Sequence, residues 1–130
     1  MISPYNPRVA ADGLEIIEVT PDPGERVWAH FQARDRDGGR LEIVGWALGQ
    51  GIAATEVVVV ADGDEAGSAQ LAVDRPDVAE KFPDAPEAST SGFRLELAAD
   101  GQGESQLDLY AVLEDESREP LGWILCRSHS

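Results

Sequence analysis

Apolar and polar side chains alternate with a period of two along most of this chain. Val27, Ala29, Phe31 and Ala33 alternate with Trp28, His30, Gln32 and Arg34. Phe93, Leu95 and Leu97 alternate with Arg94 and Glu96, and Leu107, Leu109, Ala111 and Leu113 with Gln106, Asp108, Tyr110 and Val112. This period puts the two sets on opposite faces of a β-strand. Leu41, Ile43, Gly45 and Ala47 alternate with Glu42, Val44, Trp46 and Leu48, and there both faces are fairly apolar. The run VVVVA at 57–61 reads as a core strand. With 14–19, 66–73 and 121–126, the pattern predicts about eight strands.

Turn residues fall between these segments: Pro21-Asp-Pro-Gly, Asp37-Gly-Gly, Asp62-Gly63, Asp100-Gly and Glu114-Asp-Glu-Ser. Asp62-Gly63, between VVVVA and DEAGSAQLAV, is the strongest short hairpin signal. Short antiparallel strands with such punctuation predict an all-β fold, a two-sheet sandwich. One stretch breaks the pattern, RPDVAEKFPDAPEASTSGF at 75–93. Pro76 suits a first helical position, Asp77 suits the positive start of a helix, and Pro83 stops it. A single short helical crossover is expected near 76–82. The chain reads as one domain over 1–130, with 1–12 an extended N-terminal arm and 127–130 a tail. Gly-Trp occurs twice, in GWAL at 45–48 and GWIL at 122–125. The flanks do not align, so no repeat is inferred; a strand Gly beside Trp is expected to make room for an indole ring.

Charge narrows the choice of partner. The 130 residues hold 10 basic and 25 acidic side chains, a formal net charge of −15. Such a balance repels nucleic acid and anionic lipid, so neither is an expected partner. The longest apolar run, 57–61, is too short to cross a membrane, and the first residues lack a signal-peptide pattern. Lys81 is the single lysine beside nine arginines, which reads as compositional bias.

Little in the sequence points to catalysis. Cys126 is the one cysteine, in the apolar stretch LGWILC, and reads as a buried thiol. The two histidines, His30 and His129, have no motif context for Ser-His-Asp chemistry. The acidic residues single out no glycosidase pair. No zinc motif and no strand-to-helix phosphate loop is present, so no cofactor is expected. Asp35 with Asp37, Asp62 with Asp64, and Asp74 with Asp77 lie in loops as calcium ligands would. Asp also belongs in turns for backbone reasons, and no metal site is predicted.

The pieces GWAL, IAATEVVVVADG, RPDVAEKFPDAP, SGFRLEL and LDLYAVLED follow one another over 39–124. In that order they resemble a recurrent bacterial immunoglobulin-like module found in envelope or glycan-handling proteins and beside glycosyltransferase domains. The combination RPDV, FP and SGF carries the resemblance. It implies an immunoglobulin-like antiparallel β-sandwich of roughly seven to nine strands, an accessory domain without catalysis, and it brings no site residues with it. The sequence does not fix the compartment, cytoplasmic or envelope-associated. The first 38 residues lie outside the pattern.

Two groups of candidate residues follow from the side chains themselves. If Val27, Ala29, Phe31 and Ala33 point inward, then Trp28, His30, Gln32 and Arg34 form an outward row. An aromatic, an imidazole, an amide and a guanidinium suit stacking on a sugar ring while bonding its hydroxyls. They suit a protein or domain interface, including a homo-oligomer, equally well. The indole could also be covered by a neighbouring loop or by the N-terminal segment. Tyr110, outward on its own strand, could join either surface. The second group is a loop clamp. Arg75 can fork onto Asp77, which could instead cap the short helix, while Phe82 and Phe93 anchor the ends of the crossover in the core. The expected partner is therefore a glycan or envelope polymer, or a protein or domain that docks there.

Overall fold

The computed structural model describes residues 14–36, 40–98 and 103–128. They form eight strands: β1 (Leu14–Pro21), β2 (Val27–Arg36), β3 (Arg40–Gly49), β4 (Ala54–Ala61), β5 (Asp64–Gln70), β6 (Gly92–Ala98), β7 (Gly103–Leu113) and β8 (Arg118–Ser128). One sheet runs β1-β8-β7-β4-β5 and the other β2-β3-β6. All pairings within them are antiparallel. The chain changes sheets after β1, β3, β5 and β6, so β3 pairs with β6 and β4 with β7 across the sequence. This crossed connectivity makes an immunoglobulin-like sandwich, with β1 added beside β8.

The core lies between the sheets and is built from the period-two positions. Val27, Phe31, Leu41, Ile43, Val57, Val59, Phe93, Leu109, Ala111, Leu121 and Ile124 are all buried there. Cys126 is buried with them, and burial raises its thiol pKa. The hairpin at Asp62-Gly63 has positive φ at both residues, 53° and 85°, as a tight two-residue turn between β4 and β5 requires. The other strand limits move slightly. β4 starts at Ala54, and β5 ends at Gln70, leaving Val73 to make one bridge to Gly92. Arg127 and Ser128 continue β8 and are not a tail. The expected N-terminal arm, His129, and the turns at Asp37 and Asp100 lie outside the described residues.

The two Gly-Trp pairs do not make room for indoles. Gly45 faces inward between its cross-strand neighbours Phe31 and Phe93, and a Cβ there would lie 2.2 Å from the His30 carbonyl oxygen and 2.7 Å from Phe31 Cα. Gly122 instead meets the backbone of β1, at the Thr20 carbonyl. In both places the glycine admits a neighbouring strand, because alternation turns the adjacent Trp to the opposite face.

Residues 71–92 carry the chain from the five-stranded to the three-stranded sheet. Within them lie α1 (Pro76–Lys81) and a 3₁₀ turn, Ala88–Thr90. Ala72 and Val73 donate to the Gly92 carbonyl at 3.0 Å, Gly92 donates to Val73 at 3.0 Å, and Arg75 donates to Ser89 at 2.7 Å. These bonds close the crossover into a loop whose ends meet. The loop folds over the outer face of the three-stranded sheet and makes a second small core there, in which Leu48, Val78 and Ala88 are buried. The apolar outward face of β3 exists to meet this cover.

Candidate functional site

The outward row of β2 is where alternation predicts it: Trp28, His30, Gln32 and Arg34 are all exposed. The register pairs Trp28 with Leu48, His30 with Trp46, Gln32 with Val44 and Arg34 with Glu42. Trp28 and Arg34 are six residue steps apart along the strand, about 20 Å, and the two ends of the row differ in character.

At the Arg34 end the face is a charged lattice. Glu42 is outward on β3 yet fully buried. Arg34 covers it from one side through Nε to Oε1, and Arg94 Nε donates to Oε2 at 2.5 Å from the other. Arg94 Nη2 also reaches Glu96 at 2.6 Å, and Arg40 reaches Glu96 at 3.2 Å. The Arg34 bond, opposed by burial and helped by Arg94, holds the Glu42 carboxyl below its ordinary pKa. Arg34 is thus occupied by a carboxylate, and Gln32 lies between the two regions, lining neither hollow described below.

At the Trp28 end the face is aromatic. The Phe82 ring, at the end of α1, lies 4.8 Å from the Trp28 ring with a 32° tilt and 5.9 Å from the Trp46 ring with a 56° tilt. Trp28 remains 40% exposed, so the crossover buttresses the indole from one side without covering it. Phe82 and Phe93 part ways. Phe93 is buried in the main core, as expected, whereas Phe82 is half-buried in the small outer core. The reason is topological: the crossover runs outside the three-stranded sheet, so its aromatic can reach only that sheet's outer face.

Arg75 and Asp77 form the expected clamp. Nε and Nη2 of Arg75 donate to the two carboxylate oxygens of Asp77 at 3.0 and 2.8 Å. The pairing lowers the Asp77 pKa to about 2, and backbone amides add to it. The first residue flanking α1 is Arg75, with no side-chain cap; Asp77 serves the ion pair. The Arg75 stem lies over Gly92, where an added Cβ would come within 2.8 Å of Arg75 Cγ.

Two open hollows flank the ridge, and Trp28, Lys81 and Phe82 line both. One, of about 660 Å³, extends past Ile52, Pro83 and Pro86 and carries the carboxylates of Asp84, Glu87 and Glu114. The other, of about 670 Å³, extends past Trp46 and carries His30, Arg75 and Asp77. Both volumes fall in the range of ligand sites. Among the described residues His30 has no side-chain hydrogen-bond partner, and its ring lines the hollow. Lys81 and Trp46 are not among the residues the sequence singles out, and Phe82 is singled out only as an anchor of the crossover. Phe82 was assigned to the main core, Trp46 to a glycine-vacated slot and Lys81 to composition.

Tyr110 does not belong to this surface. It pairs with Val58 and Pro120 on the outer face of the five-stranded sheet, across the sandwich from Trp28. On that face the Trp123 indole donates to Glu18 at 3.0 Å and the Thr20 hydroxyl donates to the same oxygen at 2.5 Å. Among the described residues no group of three or more His, Cys, Asp or Glu side chains could hold a metal ion. Nor is any described helix long and apolar enough to cross a membrane. Comparison with protein-family models, with curated proteins and with solved structures returns no match, so the geometry of the Trp28 ridge has to carry the functional argument.

Proposed function

We propose that this protein is a non-catalytic recognition module, an accessory part of a larger bacterial protein, whose Trp28–Phe82 ridge receives a glycan or envelope polymer. The observation that carries this reading is the exposed indole of Trp28, held by Phe82 at 4.8 Å and flanked by two open hollows. A fixed aromatic face suits the apolar face of a sugar ring, and adjacent hollows on both sides suit consecutive residues of a chain. His30, Arg75 and Asp77 supply donors and acceptors at the rim. The non-catalytic reading is supported by the buried Cys126, whose thiol pKa is raised, and by His30, which has no side-chain partner among the described residues. A module that docks a protein or a second copy of itself would use the same ridge, since Trp is a frequent interface anchor.

The test is a glycan panel titrated against the wild type and Trp28→Ala, with light scattering on both. Binding to a glycan, weakened at least about tenfold by loss of the indole contact and its buried area, supports the proposal. No binding across the panel, with a dimer that Trp28→Ala dissociates, transfers the site to the docking reading.

A further inference from the structure

Nine of the chain's ten cations are arginines, and the tenth is Lys81. Arg26, Arg34, Arg40, Arg75, Arg94, Arg118 and Arg127 each pair with a carboxylate. Among the cations whose side chains are described, Lys81 alone has no ion pair and no hydrogen bond. It is exposed at the end of α1 and lines both hollows beside the Trp28–Phe82 ridge. In a protein of net charge −15, a cation without an ion pair beside the exposed Trp28 indole is the locus best suited to an anion.

The two hollows differ in sign. On the Ile52 side Lys81 faces the carboxylates of Asp84, Glu87 and Glu114, so that hollow is net negative. On the His30 side the only carboxylate lining the hollow among the described residues, Asp77, is matched by Arg75, which leaves Lys81 as net positive charge with His30 as an added donor. An ammonium group beside an aromatic face binds a carboxylate carried by a ring that can stack there. A ligand with charge on every face would be repelled by the rest of the surface.

Resting on the glycan reading above, we infer that the ligand is an acidic sugar chain. One uronate residue stacks on Trp28 with its carboxylate on Lys81 in the His30-side hollow, and the chain continues as neutral residues past the negative hollow. Lys81 is the residue that selects for charge, and Trp28 the one that selects for sugar.

The experiment compares matched probes by calorimetry: tetramers containing galacturonate, glucuronate or mannuronate, and the same tetramers with their carboxyls methyl-esterified. Wild type is expected to bind an acid form about tenfold tighter than its ester, the difference that one charge-assisted contact makes. Lys81→Gln is expected to reduce the acid to the affinity of the ester, and Trp28→Ala to weaken both. Added salt should shrink the difference between acid and ester. Equal binding of acid and ester by wild type, or an acid preference that survives Lys81→Gln, overturns the charge assignment and leaves the glycan reading standing. Failure of every acid, ester and neutral tetramer to bind overturns both. A thermal melt of Lys81→Gln separates the roles, because a contact with the end of α1 alone would lower the midpoint and leave the acid-to-ester ratio intact.

Discussion

Truncating Phe82 to alanine removes the ring that joins the crossover to the outer face of the three-stranded sheet. Deleting a fully buried Phe costs about 3–5 kcal/mol. Phe82 is only half-buried, which scales transfer and cavity costs to roughly 1.5–2.5 kcal/mol. Its tilted contacts with Trp28 and Trp46 add about 0.5–1.5 kcal/mol. The expected loss is therefore about 3 kcal/mol, or a fall of roughly 8–15 °C in Tm for a domain of this size. Trp28→Ala should cost less, about 1–2 kcal/mol, because the indole already exposes 40% of its surface. Urea unfolding of wild type, both single variants and the double variant gives the coupling directly. The rings should couple by about 0.5–1.5 kcal/mol. If Phe82→Ala unfolds within about 0.5 kcal/mol of wild type, or the double variant is additive, the ridge is not held as described and the site loses its support.

Other consequences are simpler to check. Gly45→Ala should cost at least about 2 kcal/mol, because its Cβ would meet the backbone of β2 and not a movable side chain; an unchanged urea midpoint would contradict that packing. Glu42 and Asp77 both have lowered carboxyl pKa values in the fold. Their contribution is complete above the unfolded carboxylate range and is lost as pH falls through the folded values, so stability should drop from near pH 5 towards pH 2. Glu42→Gln should flatten that dependence, and an unchanged slope would show that Glu42 is not the group responsible. Arg75→Ala should lower Tm by a few degrees through loss of the clamp, and a melt identical to wild type would deny the clamp a structural role. Cys126 should react with a thiol reagent only as fast as the fold opens; rapid stoichiometric labelling of the native protein would place it outside the core.

Much of this architecture is readable from residue order, for identifiable reasons. A strand with one face in the core must alternate, so the faces of β2, β6 and β7 follow from sequence, and Asp-Gly at 62–63 has few conformational alternatives to the tight turn it makes. Alternation says whether a side chain points outward but not from which sheet. Tyr110 and Trp28 were therefore indistinguishable until strand order put them on opposite faces. Phe82 went to the wrong core because its spacing from Val78 defines a helix side, while the path of the crossover decides what that side meets. The alternation of β3 puts Glu42 on a fairly apolar face without saying what covers it, and the two arginines that bury it are brought there by the register. Lys81 carried a signal that was legible in principle. A lone lysine among arginines is a compositional remark until the arginines are seen paired and the lysine is not.

The three tryptophans provide the most direct test. Trp28 crowns the ridge, Trp46 lies beneath the crossover, and Trp123 is bonded to Glu18 on the opposite sheet. Their indole N–H signals, assigned by single Trp→Phe variants, can be followed by ¹⁵N-edited NMR while the acidic tetramers are added. A large, saturable shift of the Trp28 signal is expected, with a smaller one for Trp46 and none for Trp123. A Trp28 signal that stays fixed while any tetramer binds, or while Trp123 moves, would contradict that expectation.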